Sequence, residues 1–327
     1  MKGRILSGMR PTGKLHIGHL SVLENWVNLQ EEYETLFMVA DWHALTTAFD
    51  DPGSIRTMTW DMLIDWLSVG IDPEKSVVFV QSNVQEHAVL HLLFSMITPL
   101  SWVERCPTYK DQVQQLGQEG KDINTYGFLG YPVLQAADIL VYRADTVPVG
   151  EDQLPHLEFC RELARRFNHL YGKKIFPEPK AKLAKLALLP GIDGRKMSKS
   201  YHNDISITAD TEEIKEKVRL MVTDPKRIRK TDPGNPEVCT VSTYQNIYNP
   251  GELEEICSAC AAGSMGCVEC KQRLAVGLDA VLEPIRSRRR SLESNPRLVE
   301  DIAHEGARKA GEAARATIEI VREAMKI

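Results

Sequence analysis

Short apolar runs alternate with longer amphipathic stretches through the first half of this 327-residue chain. Arg4–Met9, Thr35–Asp41 and Val77–Ser82 are brief, apolar and partly β-branched or aromatic, the composition of strands buried on both faces of a parallel sheet. Between the last two, Trp60, Leu63, Ile64 and Leu67 recur at i, i+3, i+4 and i+7 after Asp51-Pro52 and before Gly70, which predicts an amphipathic helix with proline in its first turn. A helix from about Gly127 to Tyr142 and a strand over Thr146–Gly150, feeding a helix that runs through Asn168, continue the pattern. Strands alternating with helices imply right-handed crossovers and an α/β, Rossmann-like parallel sheet. Such sheets bind ligands at the carboxyl ends of their strands.

The second half reads differently. Pro177, Pro179, Pro190, Gly191 and Gly194 interrupt the chain before Lys196, marking a mobile loop. Helical periodicity then dominates over Thr211–Val222, Glu252–Ala262, Lys271–Leu292 and Asn295–Met325. The expected organisation is a Rossmann-fold catalytic domain over residues 1–190, followed by an all-α C-terminal domain over 191–327. A hydrophobic fraction of 43% with 26% charged residues excludes a mainly disordered chain, and a net charge of −5 excludes a protein that coats nucleic acid by overall basicity. The N-terminal MKGRILSGMR lacks the apolar core of an export signal and no apolar run is long enough to span a bilayer, so no membrane is expected and the reducing cytoplasm is the expected compartment.

Candidate chemistry begins directly after the first strand, at Pro11-Thr12-Gly13-Lys14-Leu15-His16-Ile17-Gly18-His19-Leu20. A strand, a glycine-bearing turn and a helix start place free backbone N–H groups where a phosphate can sit. His16 and His19, three apart, fall on one side of the first turn, and Gly18 leaves room for a flat base. Lys196-Met197-Ser198-Lys199-Ser200 lies in the later glycine-punctuated loop, and its two lysines three apart suit the charge developing on a leaving pyrophosphate. His-Ile-Gly-His followed by Lys-Met-Ser-Lys-Ser resembles the two signatures of class I aminoacyl-tRNA synthetases, present without substitution and in order. The resemblance implies that an amino-acid carboxylate attacks the α-phosphate of ATP, with Mg²⁺ as charge partner, and that the aminoacyl group passes to the 3′ end of tRNA. His16, His19, Lys196 and Lys199 are then the catalytic candidates.

Ser7–Gly13, Ala40-Asp41-Trp42-His43-Ala44, Tyr131–Leu140, Val147–Gln153 and Asp232–Pro236 together resemble the tryptophanyl-tRNA synthetase family over nearly the whole chain. That resemblance implies L-tryptophan and tRNA(Trp) as partners and a homodimer. It assigns Arg10, Pro11, Thr12, Gly18, His19, Gly150, Glu151, Asp152, Lys196, Met197, Ser198 and Lys199 to ATP. It assigns Asp138 to the indole N–H and Tyr131 to the α-amino group. An indole N–H is only a donor, so a carboxylate suits it, and Asp138 sits in an apolar run where an unpaired charge would be costly. His43, at the carboxyl edge of the second strand, is expected to line the same pocket. Tyr131-x-x-x-Gln135-x-x-Asp138 also resembles tyrosyl-tRNA synthetases, so Gln135 leaves a tyrosyl enzyme open. Leu6, where tyrosine enzymes usually carry a tyrosine, favours indole. A catalytically silent iron–sulfur RNA-binding or sensor protein on the same fold is the reading from another class. His87 and His91, at i and i+4, read as ordinary helix-face histidines.

Five of the seven cysteines fall between Cys239 and Cys270. Cys257-x-x-Cys260 and Cys267-x-x-Cys270 have the spacing at which thiolates converge on one metal, and a Zn²⁺ site would use those four, although Ala261–Gly266 is short for a zinc ribbon. A subset of the family carries a [4Fe-4S] cluster on a four-cysteine pattern that Cys239, Cys260, Cys267 and Cys270 match, with a first gap of 20 residues where the subset has about 22, and four thiolates are the usual ligand set. Cys257 is then a spare thiol or competes with Cys239 as a ligand, while Cys106 and Cys160 read as packing residues. Helical second domains of this family bind the anticodon, which makes Arg286, Arg288, Arg289 and Arg290, with Lys226, Arg227, Arg229 and Lys230, candidate phosphate contacts.

Overall fold

A computed structural model of the chain describes residues 1–106, 123–183 and 189–327, with the Ser200 side chain left aside. Five strands, β1 (Arg4–Met9), β2 (Glu34–Val39), β3 (Ser76–Val80), β4 (Thr146–Val149) and β5 (Lys180–Leu183), form one parallel sheet in the order β3-β2-β1-β4-β5. The strand order reverses between β1 and β4, the crevice where doubly wound sheets place their ligands. The expected strands are all present. β5 has no counterpart in the sequence reading, because Lys180-Ala-Lys-Leu is partly exposed and polar, as a sheet edge requires, and carries no buried-strand signature.

The predicted helix after Asp51 spans Pro52–Val69; the Asp51 side chain accepts the Ser54 N–H and Gly70, at φ +123°, closes it. Its buried stripe is rotated from the predicted one: Met62, Leu63 and Trp66 face inward, while Trp60 and Ile64 are only half-buried. Trp66 meets Trp26 edge-on at 5.1 Å, and Trp26 stacks on Phe37 of β2 at 4.6 Å. The stretch expected as one helix before Tyr142 divides at Gly130 into Tyr126–Leu129 and Tyr131–Val141.

Contacts group the chain into two units that interleave along the sequence. The first comprises Met1–Gly13, Asn25–Lys185 and Asn295–Ile327, and the second Lys14–Glu24 and Leu186–Ser294. The first signature thus groups with the later residues and the last helix with the sheet, whereas the sequence reading divides the chain at residue 190, beside residues 184–188 that lie outside the described ones. Helix Pro296–Met325 packs on β3 and on helices Glu86–Ser95 and Tyr131–Val141 through Val299, Ala303, Gly306, Ala310, Ala314, Ile318 and Val321. Small residues make this possible: a Cβ at Gly306 would collide with the Val78 carbonyl of β3. Alanine is the better helix former by about 1 kcal/mol, so the sign of a substitution here separates packing from propensity. Gly306→Ala is expected to destabilise the chain by about 1–3 kcal/mol, seen as a lower urea midpoint at unchanged slope.

Candidate active site

At the strand-order reversal, β1 ends at Met9 and β4 at Val149, in register through Ile5 opposite Thr146. Gly8 is required there, since a Cβ would stand 2.9 Å from the Met38 carbonyl oxygen of the neighbouring strand. After β4, Gly150 leads into a turn over Glu151–Gln153 and then helix Leu154–Leu170. A Cβ on Gly150 would lie 2.6 Å from Asp152 Oδ1. Glu151 and Asp152 thus present acceptor-only groups at the crevice, suited to hydroxyls rather than to phosphates.

Asp138 lies in helix Tyr131–Val141 and is 2% exposed. Gln81 Nε2 donates to its Oδ1 at 2.8 Å, His87 Nδ1 lies 2.7 Å from the same oxygen, and His43 Nε2 lies 2.8 Å from Oδ2. Burial alone would raise the Asp138 pKa, but the bonds from His43 and His87 outweigh it and lower the value to about 2. Oδ1 has two of these partners and Oδ2 one, so a carboxylate with roughly four lone-pair sites keeps capacity on Oδ2 for another donor. Gln81 Oε1 is buried with no hydrogen-bond partner, a second unmet acceptor beside the carboxylate.

Tyr131, Gln135 and Asp138 fall at i, i+4 and i+7, one face of their helix. Tyr131 Oη lies 3.2 Å from His156 Nε2 and 3.8 Å from Cys106 Sγ, and burial lowers the His156 pKa. Leu6 is 3% exposed in the core cluster that also holds Ala137 and Ile139. His87 corrects the sequence reading: fully buried, it is a partner of Asp138 rather than a surface histidine. Gln81 was missed although it directly follows β3, the same carboxyl-edge position that singled out His43 after β2.

The two signatures come together in the second unit. The first is pinned by main-chain bonds from Ile17 N–H to the Ile205 carbonyl (2.9 Å) and from Ile207 N–H to the Leu15 carbonyl (3.2 Å). A Cβ on Gly18 would stand 3.0 Å from the His16 ring and 3.5 Å from Met197 Sδ, so Gly18 is the seam between them. The His16 and His19 rings lie 3.9 Å apart. His19 Nδ1 lies 3.2 Å from the His16 backbone nitrogen, whose N–H it accepts in one tautomer, and 3.3 Å from the His16 carbonyl, to which it donates in the other. Burial first, then the neighbouring His16 and Lys199, lower the His19 pKa to about 3. His16 Nδ1 is buried without a partner. Beneath the second signature, Asn203 accepts the Ser198 N–H (2.8 Å) and donates to Asp193 Oδ1 (2.8 Å) and the Lys196 carbonyl (3.1 Å). Gly191 is needed there because a Cβ would overlap the Asn203 side chain. Lys196 itself is exposed.

The family described as tRNA synthetases class I (W and Y) matches residues 2–283. The tryptophan–tRNA ligase of Thermotoga maritima is 53% identical over 99% of both chains, and that of Aquifex aeolicus is 46% identical over 99% of this chain and all of that one. The chain belongs to the tryptophan–tRNA ligase family of class I synthetases. A Campylobacter jejuni tryptophanyl-tRNA synthetase complexed with ADP and tryptophan superimposes with a TM-score of 0.91 at 31% identity, over 99% of this chain and all of that one. A tyrosyl-tRNA synthetase from Archaeoglobus fulgidus, at 22% identity and a TM-score of 0.67, shares the fold.

Within this family member four of the five later cysteines lie near helix ends, with Cys257 in the middle of its helix. Cys239 precedes helix Thr240–Tyr248, Cys257 and Cys260 lie on helix Leu253–Ala261, and Cys267 and Cys270 open helix Cys267–Glu293. Burial, with the other cysteines adding like charge, raises the Cys260 thiol pKa against the pull of Arg227. Arg227 Nη1 lies 3.5 Å from Cys260 Sγ and 3.8 Å from Cys267 Sγ, while its Nη2 donates to the Lys230 and Met265 carbonyls. Gln245 Nε2 lies 3.5 Å from Cys270 Sγ. Among the described residues no three metal-ligating side chains form a group able to hold a metal ion. Two of the expected phosphate contacts are corrected. Arg227 turns inward onto the sulfurs, and Arg286, 7% exposed, bonds to Asp279, Glu283 and the Ala209 carbonyl.

The depressed His19 pKa has a measurable sign. Between about pH 6.5, the unfolded value, and pH 3, the unfolded chain binds a proton that folded His19 does not, so stability falls as pH falls through that window. Histidine-resolved NMR should show the His19 ring neutral at pH 5, and His19→Asn should flatten the decline in stability between pH 7 and 5. A ring that titrates near 6.5 would contradict the burial assigned to it.

Proposed function

We infer that this chain condenses L-tryptophan with ATP to give tryptophanyl-adenylate and pyrophosphate, then transfers the tryptophanyl group to the 3′ end of tRNA(Trp). The observation that carries the reading is the seam at Gly18, which lies against both the His16 ring and Met197, while the charge of Lys199 reaches His19. The imidazoles of His16 and His19, with the His16 Nδ1 unpartnered, and two lysines make a polar set for a triphosphate, and Lys196 and Lys199 supply the charge that stabilises the leaving pyrophosphate. Mg²⁺ is the further charge partner. On the first unit, Gly150, Glu151 and Asp152 are read as receiving ribose hydroxyls, and Arg10, Pro11 and Thr12 as bordering the nucleotide. No protein nucleophile is needed, since the substrate carboxylate attacks phosphorus and proximity with electrostatics carries the rate.

Tryptophan is favoured over tyrosine by the acceptors at Asp138 Oδ2 and Gln81 Oε1 and by the apolar Leu6. An indole N–H satisfies such a surface, whereas a phenol brings lone pairs that it leaves unmet. His43, Tyr131 and Gln135 complete the amino-acid side of this reading. Leu92, Met96 and Leu100 are each exposed at four-residue intervals on the first unit, apolar surface that supports a homodimer. ATP and tRNA as substrates support a cytoplasmic location.

A [4Fe-4S] cluster on Cys239, Cys260, Cys267 and Cys270 fits the donor chemistry. Four thiols gather at helix ends; Arg227 near two of the sulfurs would offset the charge of an anionic cluster, and Gln245 would donate a hydrogen bond to a third. Such a cluster would cross-link those helix ends, and no step of charging runs through it. Lys226, Arg229 and Lys230, with Arg288, Arg289 and Arg290, are the residues read as facing tRNA phosphates.

Pyrophosphate exchange should depend on tryptophan and ignore tyrosine; activation of tyrosine would overturn the assignment. Lys199→Ala should slow adenylate formation on the order of a hundredfold while tryptophan affinity changes little. Anaerobically purified protein should contain iron and sulfide that Cys260→Ser removes, and zinc in place of iron would refute the cluster.

A further inference from the structure

We infer that His87 and Tyr142 are positioning residues that hold the Asp138 carboxylate in the orientation that reads an indole N–H, setting tryptophan selectivity through Asp138. The inference deepens the proposed function and rests on its assignment of Asp138 to the indole. His87 and Tyr142 are both fully buried. His87 Nδ1 lies 2.7 Å from Asp138 Oδ1, and His87 Nε2 lies 2.7 Å from Tyr142 Oη. An ionised carboxylate only accepts, so Nδ1 must carry a proton. In a neutral ring Nε2 is then an acceptor, and the Tyr142 hydroxyl must donate to it. With the ring neutral, each hydrogen in the chain from Tyr142 through His87 to Asp138 has one place to be.

Tyr142 thereby selects the tautomer. Its hydroxyl stays protonated, because burial first and then the nearby Asp138 and Glu86 charges push its pKa well above the ordinary value. Phe79 packs beside both rings, 6.1 Å from His87 and 5.7 Å from Tyr142 between centroids, and restrains them. Without the Tyr142 hydroxyl, His87 can move its proton to Nε2. Two lone pairs then face each other between Nδ1 and Oδ1 in a site that holds Asp138 at 2% exposure. The carboxylate relieves that repulsion only by turning, and turning displaces Oδ2 from His43 and from the position that meets the indole.

The test uses the full chain and three variants. Tyr142→Phe removes one oxygen and leaves the ring packing. His87→Asn places an N–H near the position of Nδ1, and His87→Gln places one near Nε2. In ¹⁵N-histidine spectra of the protein without substrates, the parent His87 should show a protonated Nδ1 and a bare Nε2, and Tyr142→Phe should show a mixture of tautomers. In pyrophosphate exchange, Tyr142→Phe and His87→Gln should raise the tryptophan KM at least about tenfold, the effect of disturbing one charge-assisted hydrogen bond, with the ATP KM unchanged. His87→Asn should recover most of the loss seen in His87→Gln. An unchanged tautomer in Tyr142→Phe, or equal losses in the Asn and Gln variants, overturns the inference. If instead Asp138→Asn leaves the tryptophan KM unchanged, the reading of Asp138 fails and the inference falls with it, whatever the tautomer spectra show.

Discussion

A carboxylate buried in an apolar core is costly unless enough donors meet it, and removing one partner of such a buried charge typically costs about 3–5 kcal/mol. Asp138 imposes that constraint on the first unit. Its partners come from three places that only the sheet order brings together: His43 from the helix after β2, Gln81 from the turn after β3, and His87 from helix Glu86–Ser95. β2 and β3 are neighbours in the sheet, so their carboxyl ends are adjacent, and helix Glu86–Ser95 packs on Tyr131–Val141 to present His87. The pairing of parallel strands is therefore also what keeps the charge tolerable.

The second unit meets a different constraint, close approach of the main chain. Gly18 sits against the His16 ring and Met197, and Gly191 makes room for Asn203, which ties Asp193, Lys196 and Ser198 together. A lysine-bearing loop has little apolar surface with which to fix itself. Here its shape comes from one amide side chain using both its oxygen and its nitrogen, the kind of local bonding that Asn supplies in turns. Asn203 carries no signal in the sequence beyond being near the signature, which is why it was invisible there.

The legible parts of this molecule share one property: their signal is local. Buried strands announce themselves as apolar runs, the Pro52–Val69 helix by Asp51-Pro52 and Gly70, and the two signatures by residue type and spacing. What sequence reasoning missed depends on distant residues. The edge strand Lys180–Leu183 looks polar because one side of it has no partner strand. Helix Pro296–Met325 reads as part of a helical tail, yet its alanine and glycine face is what lets it lie against β3. His87 reads as one of a surface pair because periodicity cannot say that Asp138, 51 positions away, lies opposite.

Charge shows the same limit in the region of the cysteines. Counting arginines and lysines along Lys226–Lys230 and Arg286–Arg290 suggests two uniform basic runs, but each has an inward member. Arg227 lies against Cys260 and Cys267 and holds the Lys230 and Met265 carbonyls, and the buried Arg286 pairs with Asp279 and Glu283. Guanidinium suits such positions, since its planar fork spans several acceptors at once and is less strongly hydrated than an ammonium. The charge left for an anionic partner is thus smaller than the sequence count, with Lys226, Arg229 and Lys230 exposed in one run and Arg288 and Arg290 in the other. In a chain of net charge −5, a polyanion binding there must be held by local contacts rather than by a general field.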